Sequence, residues 1–131
     1  MQTPIHLTIE AGRIVDIKGE FDADIMRDYM ASFEDEKAYG IAHIGWGLNE
    51  KARWSYLATD RRGLGMHGRS FYGNVLFSTG PNQEFGGTND TACHVDIPMR
   101  NCSLYLDDQP IVIDGDIAVA EMKAPSLVGS A

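Results

Sequence analysis

The chain has 131 residues, one domain's worth, and can bury roughly two-thirds of its unfolded surface. An apolar fraction of 44% and a charged fraction of 23% argue against a disordered chain, a coiled coil or a collagen-like repeat. Eleven Lys and Arg against 19 Asp and Glu leave a net charge of −8, which argues against nucleic acid or an anionic membrane surface as partner.

No apolar run approaches the roughly 18–20 residues of a membrane span. Met1-Gln2-Thr3-Pro4 lacks a basic segment followed by an apolar one, so no signal peptide is predicted and a cytoplasmic location is expected. Cys93 and Cys102 are expected as two reduced thiols, because two cysteines make no disulfide scaffold.

Ile5, Leu7 and Ile9 alternate with polar residues, Ala11-Gly12 supplies a turn, and Ile14, Val15 and Ile17 continue, which predicts a hairpin ended by Gly19. A helix follows, with Asp22 or Asp24 as cap. Ile25, Tyr29 and Phe33, with Met26 and Met30, define its expected apolar face, and Tyr39-Gly40 its end. The run Glu34-Asp35-Glu36-Lys37 reads as a solvated face.

Residues Ile41 to Gly47 read as a buried strand. Residues 49–73 hold Lys51, Arg53, Arg61, Arg62 and Arg69, the one basic region, and read as loop with some helix. Asn74 to Ser78 is a strand, and Gly80 to Asp90 a long turn-rich loop of the kind that often carries function. Strands are predicted over Cys93–Pro98, Ser103–Leu106, Ile111–Ile113 and Ile117–Val119, with turns at Asp107-Asp108 and Asp114-Gly115. The sum is an α+β domain over 1–124, mainly antiparallel sheet with one or two helices, and a flexible tail over 125–131.

Of four histidines, His6 reads as the exposed face of the first strand. His94-Val95-Asp96 is the informative triplet, because side chains at i and i+2 of a strand share a face. The imidazole and carboxylate project together, either as half of a metal site or as a pair tying strands together. A 2-His-1-carboxylate site needs one further histidine and keeps open positions for substrate and dioxygen. His43, in an apolar strand where an unpartnered polar group is costly, is the best candidate. No G-x-S-x-G or H-E-x-x-H is present. Gly63-Leu64-Gly65-Met66-His67-Gly68 has the spacing of a dinucleotide fingerprint without its strand and helix context.

Three runs carry a resemblance: Ala42-His43-Ile44-Gly45-Trp46-Gly47-Leu48, Asn74-Val75-Leu76-Phe77-Ser78-Thr79-Gly80-Pro81-Asn82, and Cys93-His94-Val95-Asp96-Ile97-Pro98-Met99. Together, over about Ile5 to Val119, the chain resembles the C-terminal half of the 2,5-dihydroxypyridine 5,6-dioxygenases, Fe(II) ring-cleaving enzymes of nicotinate and nicotine catabolism. The resemblance implies the C-terminal fold of the M29, or aminopeptidase T-like, metallopeptidases. It places the iron ligands on His43, His94 and Asp96, and substrate-contacting serines on Ser78 and Ser70. It implies a small N-heteroaromatic substrate, dioxygen as co-substrate, a homo-oligomer, and a separate domain ahead of this region.

The peptidase branch carries a glutamate ligand five residues before the first histidine, where this chain has Ala38, which favours one metal over two. His67 suits a second-metal ligand and keeps a two-metal Zn or Co aminopeptidase as the alternative. A half-enzyme acting as a non-catalytic module is the third reading.

Overall fold

In a computed structural model of the chain, residues 2–125 are described except 61 and 64. Arg61, Leu64 and the expected tail beyond Pro125 therefore lie outside the described residues. The chain divides into two compact units, one of residues 1–43 and 78–96, the other of 44–77 and 97–131.

The first unit opens on strands β1 (Ile5–Glu10) and β2 (Arg13–Gly19), an antiparallel hairpin. Ala11 and Gly12 both take positive φ, 48° and 75°, the backbone that a two-residue hairpin turn requires. Thr8 pairs with Asp16 and Ile9 with Ile14, so Val15 is the extra residue of a β-bulge. The bulge turns Val15 out to solvent and lets Ile14 and Ile17 both face inward.

Helix α1 (Phe21–Ala31) packs on this hairpin. It buries Ala23, Met26 and Met30, spaced i, i+3, i+7. Of the expected face, Met26 and Met30 are buried, but Ile25 and Tyr29 are exposed and Phe33 is half-buried beside Tyr29. Apolar counting cannot choose between two stripes. Packing chooses the stripe that carries Ala23, whose small side chain lets the helix approach closely.

The expected caps are also displaced. Glu20 holds the N-cap position without a side-chain bond, and Asp22 instead accepts the N–H groups of Gln2 and Thr3 at 2.5 and 2.6 Å. Asp24 pairs with Arg27. The helix stops at Ala31 rather than at Tyr39. Glu34 turns at a φ of 50°, and a separate 3₁₀ turn covers Glu36–Tyr39 with Asp35 as its cap.

Strand β3 (Ile41–Trp46) follows, and α2 (Tyr56–Thr59) and α3 (Met66–Ser70) are the helical part of the basic region. After these come β4 (Val75–Thr79) and β5 (Val95–Met99). The sheet order is β3-β4-β5. Its central position accounts for the burial of every β4 residue, against the half-buried pattern of β5. Strand β3 is half-buried, not buried as expected, and Ile44 is exposed.

In the second unit, β6 (Leu104–Leu106), β7 (Gln109–Ile113) and β8 (Asp116–Ile117) form an antiparallel sheet. Positive φ at Asp107 and Asp108, and at Asp114 and Gly115, makes the two predicted turns. Val75, Ile111, Val112 and Ile117 form the core here, with Trp46, Tyr72 and Met99 packed against them. The fold is α+β, as expected, with three α-helices among the described residues. None of its helices is long and apolar enough to cross a membrane.

Candidate metal and substrate site

Four of the expected site residues, His43, Ser78, His94 and Asp96, belong to the first unit. His43 projects from β3. Its Nδ1 is buried and has no hydrogen-bond partner. Leaving a buried polar group unpaired costs about 1–3 kcal/mol, which sets this nitrogen apart from the other histidine nitrogens. The His43 ring lies 5.1 Å from the ring of Phe85, tilted 45°.

His94 immediately precedes β5, and Asp96 lies within it. His94 Nε2 stands 3.2 Å from Asp96 Oδ1. The His94 side chain is half exposed and that of Asp96 more sheltered.

Strand β4 lies between β3 and β5. Two strand spacings, about 10 Å, therefore separate the backbones that carry His43 and the His94–Asp96 pair. Among the described residues no three His, Cys, Asp or Glu are gathered closely enough to hold a metal ion. The arrangement is a pair plus one separate donor. The donor types, two imidazoles and a carboxylate with one imidazole nitrogen unpartnered, are those a first-row divalent metal takes.

Ser78, on the central strand, is fully buried, and its Oγ has no partner. The neighbouring Thr79 hydroxyl is in the same condition. Cys93 is no competitor as a thiolate, because burial, with the Asp35 charge adding, pushes its thiol up. Both cysteines are free. A hydrogen bond from the Thr91 hydroxyl, then the Lys37 N–H, holds Asp35 below the ordinary aspartate range.

The loop between β4 and β5 is more ordered than its composition suggests. Asn82 N–H donates to Asn89 O at 3.2 Å, and Asn89 N–H returns to Asn82 Oδ1 at 2.8 Å. Gly80 has a φ of 109°, and a Cβ there would stand 2.1 Å from the Cys93 carbonyl oxygen, so no other residue fits against that strand.

Residues 1–119 match the family described as NicX, 2,5-dihydroxypyridine 5,6-dioxygenase. The chain belongs to that family. It is 52% identical over 119 residues to a 2,5-dihydroxypyridine 5,6-dioxygenase of Pseudomonas putida KT2440, covering 89% of this chain and 34% of that protein. It is also similar to the solved structure of the 2,5-dihydroxypyridine dioxygenase from the same strain, at a TM-score of 0.83 and 48% identity, over 95% of this chain and 36% of that one. The chain thus spans about a third of the length of these NicX relatives.

Two expected residues fall in the second unit. His67, on α3, accepts the Arg53 N–H on Nδ1 at 3.0 Å, and its ring packs edge-on to Tyr56. Ser70 Oγ donates to the Met66 carbonyl at 2.8 Å, a bond within its own helix. Trp54 stacks edge-on to Phe71, and the Arg100 guanidinium lies over both rings. A groove of about 330 Å³ in the first unit is lined by Ile14, Asp16, Ile17, Arg27, Ala31 and Tyr39, and none of the expected site residues touches it.

Sequence reading passed over Phe85 and Asn89. The signal was there in the pair of asparagines that flanks Gly86-Gly87, a pattern able to staple a loop by side-chain bonds to its own backbone.

Proposed function

We propose that this chain is the metal-binding part of an Fe(II)-dependent dioxygenase that opens the ring of a dihydroxylated N-heteroaromatic compound. His43, His94 and Asp96 are the ligands in this reading. The observation that carries it is the buried, unpartnered Nδ1 of His43, in a chain 52% identical to a dihydroxypyridine dioxygenase.

Fe(II), when bound, supplies the one-electron chemistry that lets an electron-rich ring react with dioxygen. The protein's share is holding and orienting. Two imidazoles and one carboxylate around a divalent ion would leave a net positive charge, which would favour a deprotonated ring hydroxyl. Ser78 Oγ has no partner but is fully buried, so a ring would reach it only where its cover opens. The relatives' name supports a heteroaromatic substrate with dioxygen as co-substrate. The −8 net charge argues against nucleic acid.

Anaerobic titration with Fe(II) tests the ligand set. One equivalent per chain is expected, lost in His94→Ala and in Asp96→Ala. Full binding retained in both variants removes the site. Oxygen uptake on addition of 2,5-dihydroxypyridine then separates an active enzyme from a metal-binding module without turnover.

A further inference from the structure

Phe85 is the largest exposed feature of the loop between β4 and β5, with 67% of its surface open. An exposed phenylalanine is ordinary where its loop is slack, but this loop is pinned. Phe85 N–H and Gly87 N–H both donate to Asn82 O at 3.0 Å. Asn89 Nδ2 donates to Gly80 O at 2.7 Å and to Lys37 O at 2.9 Å, closing the loop on its own base and onto the 3₁₀ turn. Gly86, with a φ of 83°, ends the short 3₁₀ turn Gln83–Phe85 that carries the ring. The backbone that carries the ring is therefore held, with the His43 ring beside it and much of the Phe85 surface in water.

We propose that Phe85 is an aromatic platform on which a flat N-heteroaromatic ligand stacks beside His43. The inference rests on the reading of His43 as part of the site. Offset stacking needs a ring whose position is set in advance, because the entropy of ordering it is then not charged to the ligand. The held backbone and the His43 ring on one side narrow the positions open to the Phe85 ring, and its exposed surface leaves room for a ligand. It acts as a positioning residue: it orients the ligand ring and touches no reacting bond.

The test uses the whole chain, metal-free and under nitrogen, titrated with 2,5-dihydroxypyridine and followed by NMR. Upfield ring-current shifts of the ligand protons and perturbed His43 and Phe85 ring signals are expected. Phe85→Leu, which keeps apolar bulk but loses the π face, should weaken binding roughly fivefold to tenfold, and Phe85→Trp should restore it. The side chain is too exposed for either change to threaten the fold. Equal binding by Phe85→Leu, or no ring-current shift with the native chain, overturns the proposal. Fe(II) titration of Phe85→Leu keeps the two readings apart. Retained metal with weakened ligand supports the platform, whereas a native chain that binds no metal sinks the ligand-set reading alone.

Discussion

The side-chain amide of Asn89 donates to the Gly80 carbonyl at 2.7 Å and so ties the end of the loop between β4 and β5 to its beginning. The same nitrogen reaches Lys37 O at 2.9 Å. Asn89→Ala leaves two carbonyls without this donor and is expected to cost about 1–3 kcal/mol, read by urea unfolding. Amide exchange at Phe85 and Gly87 should quicken in the same variant. Unchanged exchange there would show that the loop is held by its backbone bonds alone.

Met30 and Ile25 stand on opposite sides of α1, one fully buried and the other 51% exposed. Met30→Ala opens a cavity against the hairpin and should destabilise by about 2–5 kcal/mol. Ile25→Ala should stay within about 0.5 kcal/mol of the native chain. Denaturant midpoints of the two variants decide it, and equal losses would contradict this choice of buried face.

His43 carries a buried nitrogen with no partner, a condition that function tolerates and stability does not. His43→Leu removes the unpaired group while keeping apolar bulk. The metal-free chain is expected to gain about 1 kcal/mol in thermal or urea unfolding. Fe(II) binding should be lost in the same variant. A loss of stability would mean that Nδ1 has a partner in solution, such as an ordered water.

Three aspartates of the first unit titrate below the ordinary range. A hydrogen bond from Lys18 holds Asp16 down, the N–H groups of Thr3 and Gln2 hold Asp22, and the Thr91 hydroxyl holds Asp35. A depressed folded-state pKa means that the unfolded chain binds more protons across the interval between the two values. Stability from these groups is therefore fully present above the ordinary aspartate range and is lost as pH falls through the folded values. Asp22→Asn should lower stability at neutral pH, and its deficit should shrink steadily below about pH 4. A deficit that stays constant to pH 2 would rule out the carboxylate charge as its source.

Much of the fold was readable from local patterns. The hairpin β1–β2, the turns at Asp107-Asp108 and Asp114-Gly115, and strand β4 follow from alternation and turn chemistry that act over a few residues. The His94–Asp96 contact is equally local, two residues apart, although His94 stands just before the strand that holds Asp96. Residues far apart in the chain settled the rest. The buried side of α1 depends on the hairpin it meets, and both available stripes were apolar. Asp22 turned from helix cap to acceptor for Gln2 and Thr3 because those N–H groups lie within reach only after folding. Phe85 came to rest beside His43 because Asn89 staples its loop to a turn 52 residues earlier. Periodicity and turn propensity are properties of neighbours along the chain. Which face is covered, and which polar atom is left without a partner, are properties of neighbours in space.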